Sequence, residues 1–98
     1  MPTLVAANLA AANGKQFGEV LWAEQNCGGT DTAAAEKLRV AYQSGNNPEA
    51  PDFEAGTQEG LRLIADLAAE AGDHNTCAEL TRRYGPNGVV QRNWWIAK

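Results

Sequence analysis

The stretch DFEAGTQEGLRLIADLAAEAG, residues 52–72, decides the fold class. Asp52 brings a side-chain oxygen suited to the free N–H groups at a helix start, and Glu54 sits well near the positive end. Phe53, Gly60, Ile64, Leu67 and Ala71 then recur on one helical face, with Leu61 and Ala68 beside it. Gly72 is a stop. The spacing therefore gives a helix over 53–71. Gly56 and Gly60 are four apart and share a side. Glycine is a poor helix former, so the pair marks a place where another helix packs close, from this chain or from a second copy of it. This small-xxx-small spacing is best known from membrane helices and serves here as a packing hint.

Downstream, Asp73 or Asn75 can cap a helix over 75–84, and Tyr84-Gly85-Pro86-Asn87-Gly88 stops it. Residues 89–98 read as an extended tail or a short final turn. Upstream, Gly45-Asn46-Asn47-Pro48-Glu49-Ala50-Pro51 is an irregular connector. An Ala-rich helix over 32–44, capped by Thr30 or Asp31, precedes it. Residues 3–26 are helical, with Leu4, Val5, Leu9, Ala12, Phe17, Val20, Leu21 and Glu24 spaced along one face. Asn13-Gly14 either breaks this segment in two or sits inside one long helix at a cost of about 1 kcal/mol for the glycine. The fold class is thus all-α: a small bundle of four to five helices in a single domain, residues 1–98.

Ninety-eight residues leave no room for a second core. Alanine supplies much of the apolar fraction, so burial falls on Phe17, Trp22, Leu38, Val40, Tyr42, Phe53, Leu61, Ile64, Leu67, Leu80 and Tyr84. The net charge of −4 argues against nucleic acid, which needs a basic surface. The charge is uneven: all twelve carboxylates lie in residues 1–80, while Arg82, Arg83, Arg92 and Lys98 follow with no acid among them. The basic end either folds back on the acidic body or meets a partner. No apolar run is long enough to span a bilayer.

Cys27 and Cys77 fit three readings: a structural disulfide, two buried thiols in a cytosolic protein, or redox chemistry. The last is disfavoured by the absence of Cys-x-x-Cys. A disulfide closing that loop is worth roughly 4 kcal/mol and implies an oxidising compartment. Met1-Pro2-Thr3 lacks the features of a signal peptide. The chain therefore reads as a mature exported form, periplasmic or secreted, or as cytoplasmic if the cysteines are reduced.

No chemistry is spelled out. His74 and Cys77 are spaced for two zinc ligands, but a site needs three or four, and an oxidised Cys77 contributes none. One histidine and one serine, Ser44, make a hydrolase improbable. Glu54, Glu59, Asp66, Glu70 and Asp73 read as a solvated helix face. No phosphate-binding or calcium loop is present. Neither a cofactor, a metal site nor catalysis is expected. Trp94-Trp95-Ile96, with Arg92 and Lys98, stands out. Adjacent residues point different ways, so one Trp should pack while the other lies half-covered. Alternatively the segment is a partner-binding anchor, since Trp and Arg dominate interface hot spots.

The helix ending in Cys27-Gly28-Gly29, the Phe53-Glu54-Ala55-Gly56 and Glu59-Gly60-Leu61 helix, Cys77 before a short helix, and Tyr84-Gly85-Pro86-Asn87-Gly88 together resemble small exported one-disulfide helical proteins of uncharacterised function from alphaproteobacteria. That resemblance implies periplasmic placement and a Cys27–Cys77 bridge, with no activity. The build alone is similar to that of the periplasmic acid-stress chaperones. The expectation is a non-catalytic interaction module whose partner is another protein or a second copy of itself. An inhibitor or immunity-type protein and a stress chaperone are the alternatives.

Overall fold

A computed structural model describes residues 4–28, 30–31 and 33–96, with the backbone alone at Thr30 and Asp31. Four helices follow in order: α1 over Leu4–Asn26, α2 over Ala33–Gln43, α3 over Ala50–Ala71 and α4 over Asp73–Tyr84. The all-α class and the small bundle therefore stand. Thr30–Asp31 (β1) pairs antiparallel with Trp95–Ile96 (β2), with Thr30 opposite Ile96 and Asp31 opposite Trp95.

Asn13-Gly14 does not break α1, which is one helix of 23 residues. The reason lies in the principal interface of the molecule, between α1 and α3. Gly14 and Gly18 of α1 lie against the carbonyl groups of Phe53 and Thr57. Gly56 and Gly60 of α3 lie against the carbonyls of Ala11 and Lys15. A Cβ at any of the four would fall far inside contact distance of backbone oxygen. Positions 11 and 15 meet 56 and 60, and 14 and 18 meet 53 and 57, so the numbers rise together and the helices run parallel. Two interlocking small-xxx-small pairs let the backbones touch, a geometry in which Cα–H groups point at carbonyl oxygens. The helix facing Gly56 and Gly60 is thus this chain's own α1.

Phe17 and Phe53 flank the crossing with ring centroids 5.6 Å apart, and Tyr42 of α2 stacks on Phe53 at 4.7 Å. Val20, Ile64, Leu80, Tyr84, Trp94 and Trp95 complete the core. Val40, expected inside, is exposed on the outer side of α2, a short helix that fully buries only Ala35.

Some helix ends differ from expectation. α3 starts at Ala50 rather than Phe53, with Pro51 in its first turn, where the missing N–H costs nothing. Asp52 lies inside that turn, favourable to the helix dipole but not the cap. The entry is set by Asn47, whose side-chain oxygen accepts the Glu49 N–H at 2.9 Å and whose amide donates to the Ala41 carbonyl at 3.0 Å. Between α3 and α4 stands one residue, Gly72, at φ 88°, where a side chain would be strained. α4 has no side-chain cap; Asn75 instead donates to the Ala71 carbonyl at the end of α3. The expected caps Thr30 and Asp31 of α2 have side chains outside the described residues.

Cys27 and Cys77 form a disulfide, with Cα atoms 5.8 Å apart, joining the end of α1 to α4. Among the described residues no helix is long and apolar enough to cross a membrane.

Candidate interaction surface

The C-terminal segment was the first candidate in sequence, and the structure makes it a strap. After Tyr84 the chain turns back over the end of α4 and satisfies its free carbonyls. The N–H groups of Val89, Val90 and Trp94 donate to Arg82, Arg83 and Tyr84 at 3.0 Å. Asn93 takes φ 60°, a conformation asparagine tolerates, and its N–H donates to Gly85 at 2.9 Å. Trp94 stacks on Tyr84 with centroids 6.1 Å apart. β2 then packs among α4, α1 and β1, with Trp95 on its buried side and Ile96 on its open side.

Trp94 and Trp95 are consequently 7% and 0% exposed. This corrects the expectation that one of them is half-covered, and it removes both as accessible partner anchors. Arg92 stays exposed and Ile96 is half-exposed, while Lys98 lies outside the described residues. The four described residues do not form one surface. The Trp95 indole N–H is buried with no hydrogen-bond partner among the described residues.

The basic end meets the acidic body at Arg83, while Arg82 pairs within its own helix. Glu19 of α1 is a buried carboxylate that accepts from the Arg83 guanidinium and from the Tyr84 hydroxyl. Arg83 also donates through Nε to Glu79 at 2.9 Å, and Arg82 donates to the same carboxylate. These hydrogen bonds, Arg82 first, hold the Glu79 carboxyl down at about 2. Burial, then the Glu19 hydrogen bond, pushes the Tyr84 phenol well above its ordinary value. Tyr84 is thus a fixed donor, and the cluster has each charge matched: it clamps α4 to α1. A cavity of about 340 Å³ opens above it, lined by Lys15, Gln16 and Val90 as well.

The other sequence candidates come apart. His74 is exposed in the first turn of α4, and Cys77 is in the disulfide, so that pair offers no thiolate. Among the described residues no three His, Cys, Asp or Glu side chains converge as a metal would require. A cleft of about 420 Å³ with mixed lining runs between α2 and the α1–α3 pair, with Phe17 and Leu21 beside Glu24, Glu36, Arg39 and Glu54. There the Arg39 guanidinium, bonded to Glu36, lowers that carboxyl.

What sequence reading did not single out is the start of α1. Leu4, Val5 and Leu9, on the apolar face that the spacing gives this helix, are 77%, 76% and 57% exposed. The side of α1 that packs on α3 is instead its small-residue side, with Ala11, Gly14 and Gly18. Leu9 and Ala6 line a groove of about 360 Å³ completed by Leu38, Ala41, Tyr42, Asn47 and Glu49. Asn13 donates to the Tyr42 hydroxyl at 3.2 Å and ties α2 to α1 at its floor. The signal was present in sequence: from Leu4 to Gly14 there is no charged residue, and the polar side chains are Asn8 and Asn13. A helix apolar on every side is normally buried on every side.

No protein-family description matches this chain, and no curated protein or solved structure is significantly similar to it.

Proposed function

We propose that this chain is a non-catalytic, exported interaction module that docks a protein partner on the apolar surface formed by the start of α1 and by α2. One observation carries the reading: an uncharged helix start with Leu4, Val5 and Leu9 exposed stands beside a groove walled by Leu38, Ala41 and Tyr42 and edged by Asn47 and Glu49. An exposed apolar patch rimmed by polar residues is what an interaction site offers to solvent. The groove is built on two helices joined by the Asn13–Tyr42 hydrogen bond and the Tyr42–Phe53 stack, so it presents a defined shape. The disulfide supports placement in an oxidising compartment, periplasmic or extracellular.

The test is a capture experiment from periplasmic extract with tagged wild-type protein and Leu9→Lys, each checked for helicity. Leu9 is on the surface, so the variant keeps its fold. Capture of a partner by wild type and its loss in Leu9→Lys supports the reading. Equal capture by both proteins, or none above an unrelated bait, overturns it.

A further inference from the structure

We infer that the partner of this surface is a second copy of the same chain, docked by a twofold exchange in which the first turn of α1 from each protomer fills the groove of the other. The inference rests on the function just proposed.

Knob and groove lie side by side. Leu4 and Val5 project from the start of α1, and the groove opens one turn on, at Ala6 and Leu9. The parallel register sets Ala50, where α3 begins, opposite about Asn8, so the first turn of α1 stands beyond its main packing partner. A surface carrying a ridge next to a matching groove is self-complementary. A twofold axis between the two inserts each ridge reciprocally.

The sizes agree. An apolar cavity of about 150 Å³ holds a benzene ring, so one of about 360 Å³ takes the branched side chains of Leu4 and Val5. Charge agrees as well. Glu49 stands at the groove, while the positive end of α1 has no acidic residue in its first turn. The exchange sets the carboxylate of one protomer against the positive helix end of the other. The knob brings no charge that would need desolvation.

The area is that of a weak but specific contact. Leu4, Val5 and Leu9 expose roughly 350 Å², within the range of functional patches on small proteins. Leu38, Ala41 and Tyr42 of the groove add to this contact, which stays at the small, transient end of the range for specific interfaces. The dimer is therefore concentration-dependent.

Sedimentation velocity over a wide concentration range tests this on the full chain. Wild type should move from the 10.4 kDa monomer toward twice that mass. Val5→Lys, in the knob, and Ala41→Glu, in the groove, are both surface changes. Each should weaken association about tenfold or more, the effect of a lost anchor. Mixed in equal amounts they should recover it, because the lysine knob of one then enters the glutamate groove of the other. A wild type that stays monomeric throughout overturns the inference, as does a mixture that fails to recover. If wild type is monomeric while capture of another protein is still lost in Leu9→Lys, a different chain fills the groove and the proposed function survives. If capture ignores Leu9→Lys, the function fails too.

Discussion

Replacing Gly14 by alanine sets two effects of opposite sign against each other. In an isolated helix the change stabilises by about 1 kcal/mol, because glycine carries the larger entropy cost. In this fold the new Cβ would overlap the Phe53 carbonyl oxygen and crowd the Thr57 amide, both backbone atoms that cannot rotate away. The helices must separate or shift. Overpacking of this kind costs about 1–3 kcal/mol, and more where backbone has to move. Parting by even ~0.5–1 Å also forfeits a quarter to a half of each dispersion contact across the interface, including those of Phe17 on Phe53. A gross cost of about 3–4 kcal/mol less the propensity gain leaves a net loss of about 2–3 kcal/mol. For a domain this size each kcal/mol is worth about 4–8 °C in Tm, so Gly14→Ala should melt at least about 8 °C below wild type by circular dichroism. Gly56→Ala should behave alike, and the double variant should lose less than the sum, since the first alanine has already opened the crossing. A Tm that is unchanged or raised in Gly14→Ala contradicts the close parallel crossing.

Three further outcomes follow from the same contacts. Reducing the disulfide, or making Cys27→Ser with Cys77→Ser, should lower stability by about 4 kcal/mol, the entropy of a loop spanning fifty residues; a melt unaffected by reductant would show that no such constraint acts. Trp95→Ala should cost about 3–5 kcal/mol and loosen the end of α4, whereas a tail serving only as a binding arm would leave the denaturation midpoint in place. Glu79 ionises more readily folded than unfolded, so its contribution is present above pH 4.5 and lost as pH falls toward about 2. The stability gap between wild type and Glu79→Gln should shrink across that window, and a pH-independent gap would exclude the Arg82–Glu79–Arg83 pairing.

How much of this was legible depends on whether the signal is local. Four helices, their stops at Gly45, Gly72 and Gly85, and the packing role of Gly56 and Gly60 follow from periodicity and turn chemistry, which act within a few residues. Gly14 and Gly18 have the same spacing as the α3 pair, yet beside Asn13 the first reads as a breaker. Its use is decided by a carbonyl some forty residues away. Trp94 and Trp95 misled for a similar reason. Alternation predicts that neighbours point apart, but Trp94 precedes the strand and is covered by stacking on Tyr84, while Trp95 is buried within β2. Leu4, Val5 and Leu9 share the helical spacing of Phe17 and Val20, yet they stand outside the core. On a helix start with only Asn8 and Asn13 polar, periodicity gives little preference for a side, and the small residues win the interface because they permit the closer approach. Glu19, the buried carboxylate, carries no sequence mark that separates it from the solvated acids; its partners lie more than sixty residues away.

The central claim is that the C-terminal tryptophans are interior while the start of α1 is the open apolar surface. Relaxation of proton NMR signals by a soluble paramagnet, at dilutions where the chain is monomeric, measures both at once. The methyl groups of Leu4, Val5 and Leu9 should relax fast, and the indole N–H of Trp95 should be spared. A Trp95 indole that relaxes as fast as the Leu4 methyls would contradict the strap, and protected Leu4 and Val5 methyls in the monomer would contradict the open surface.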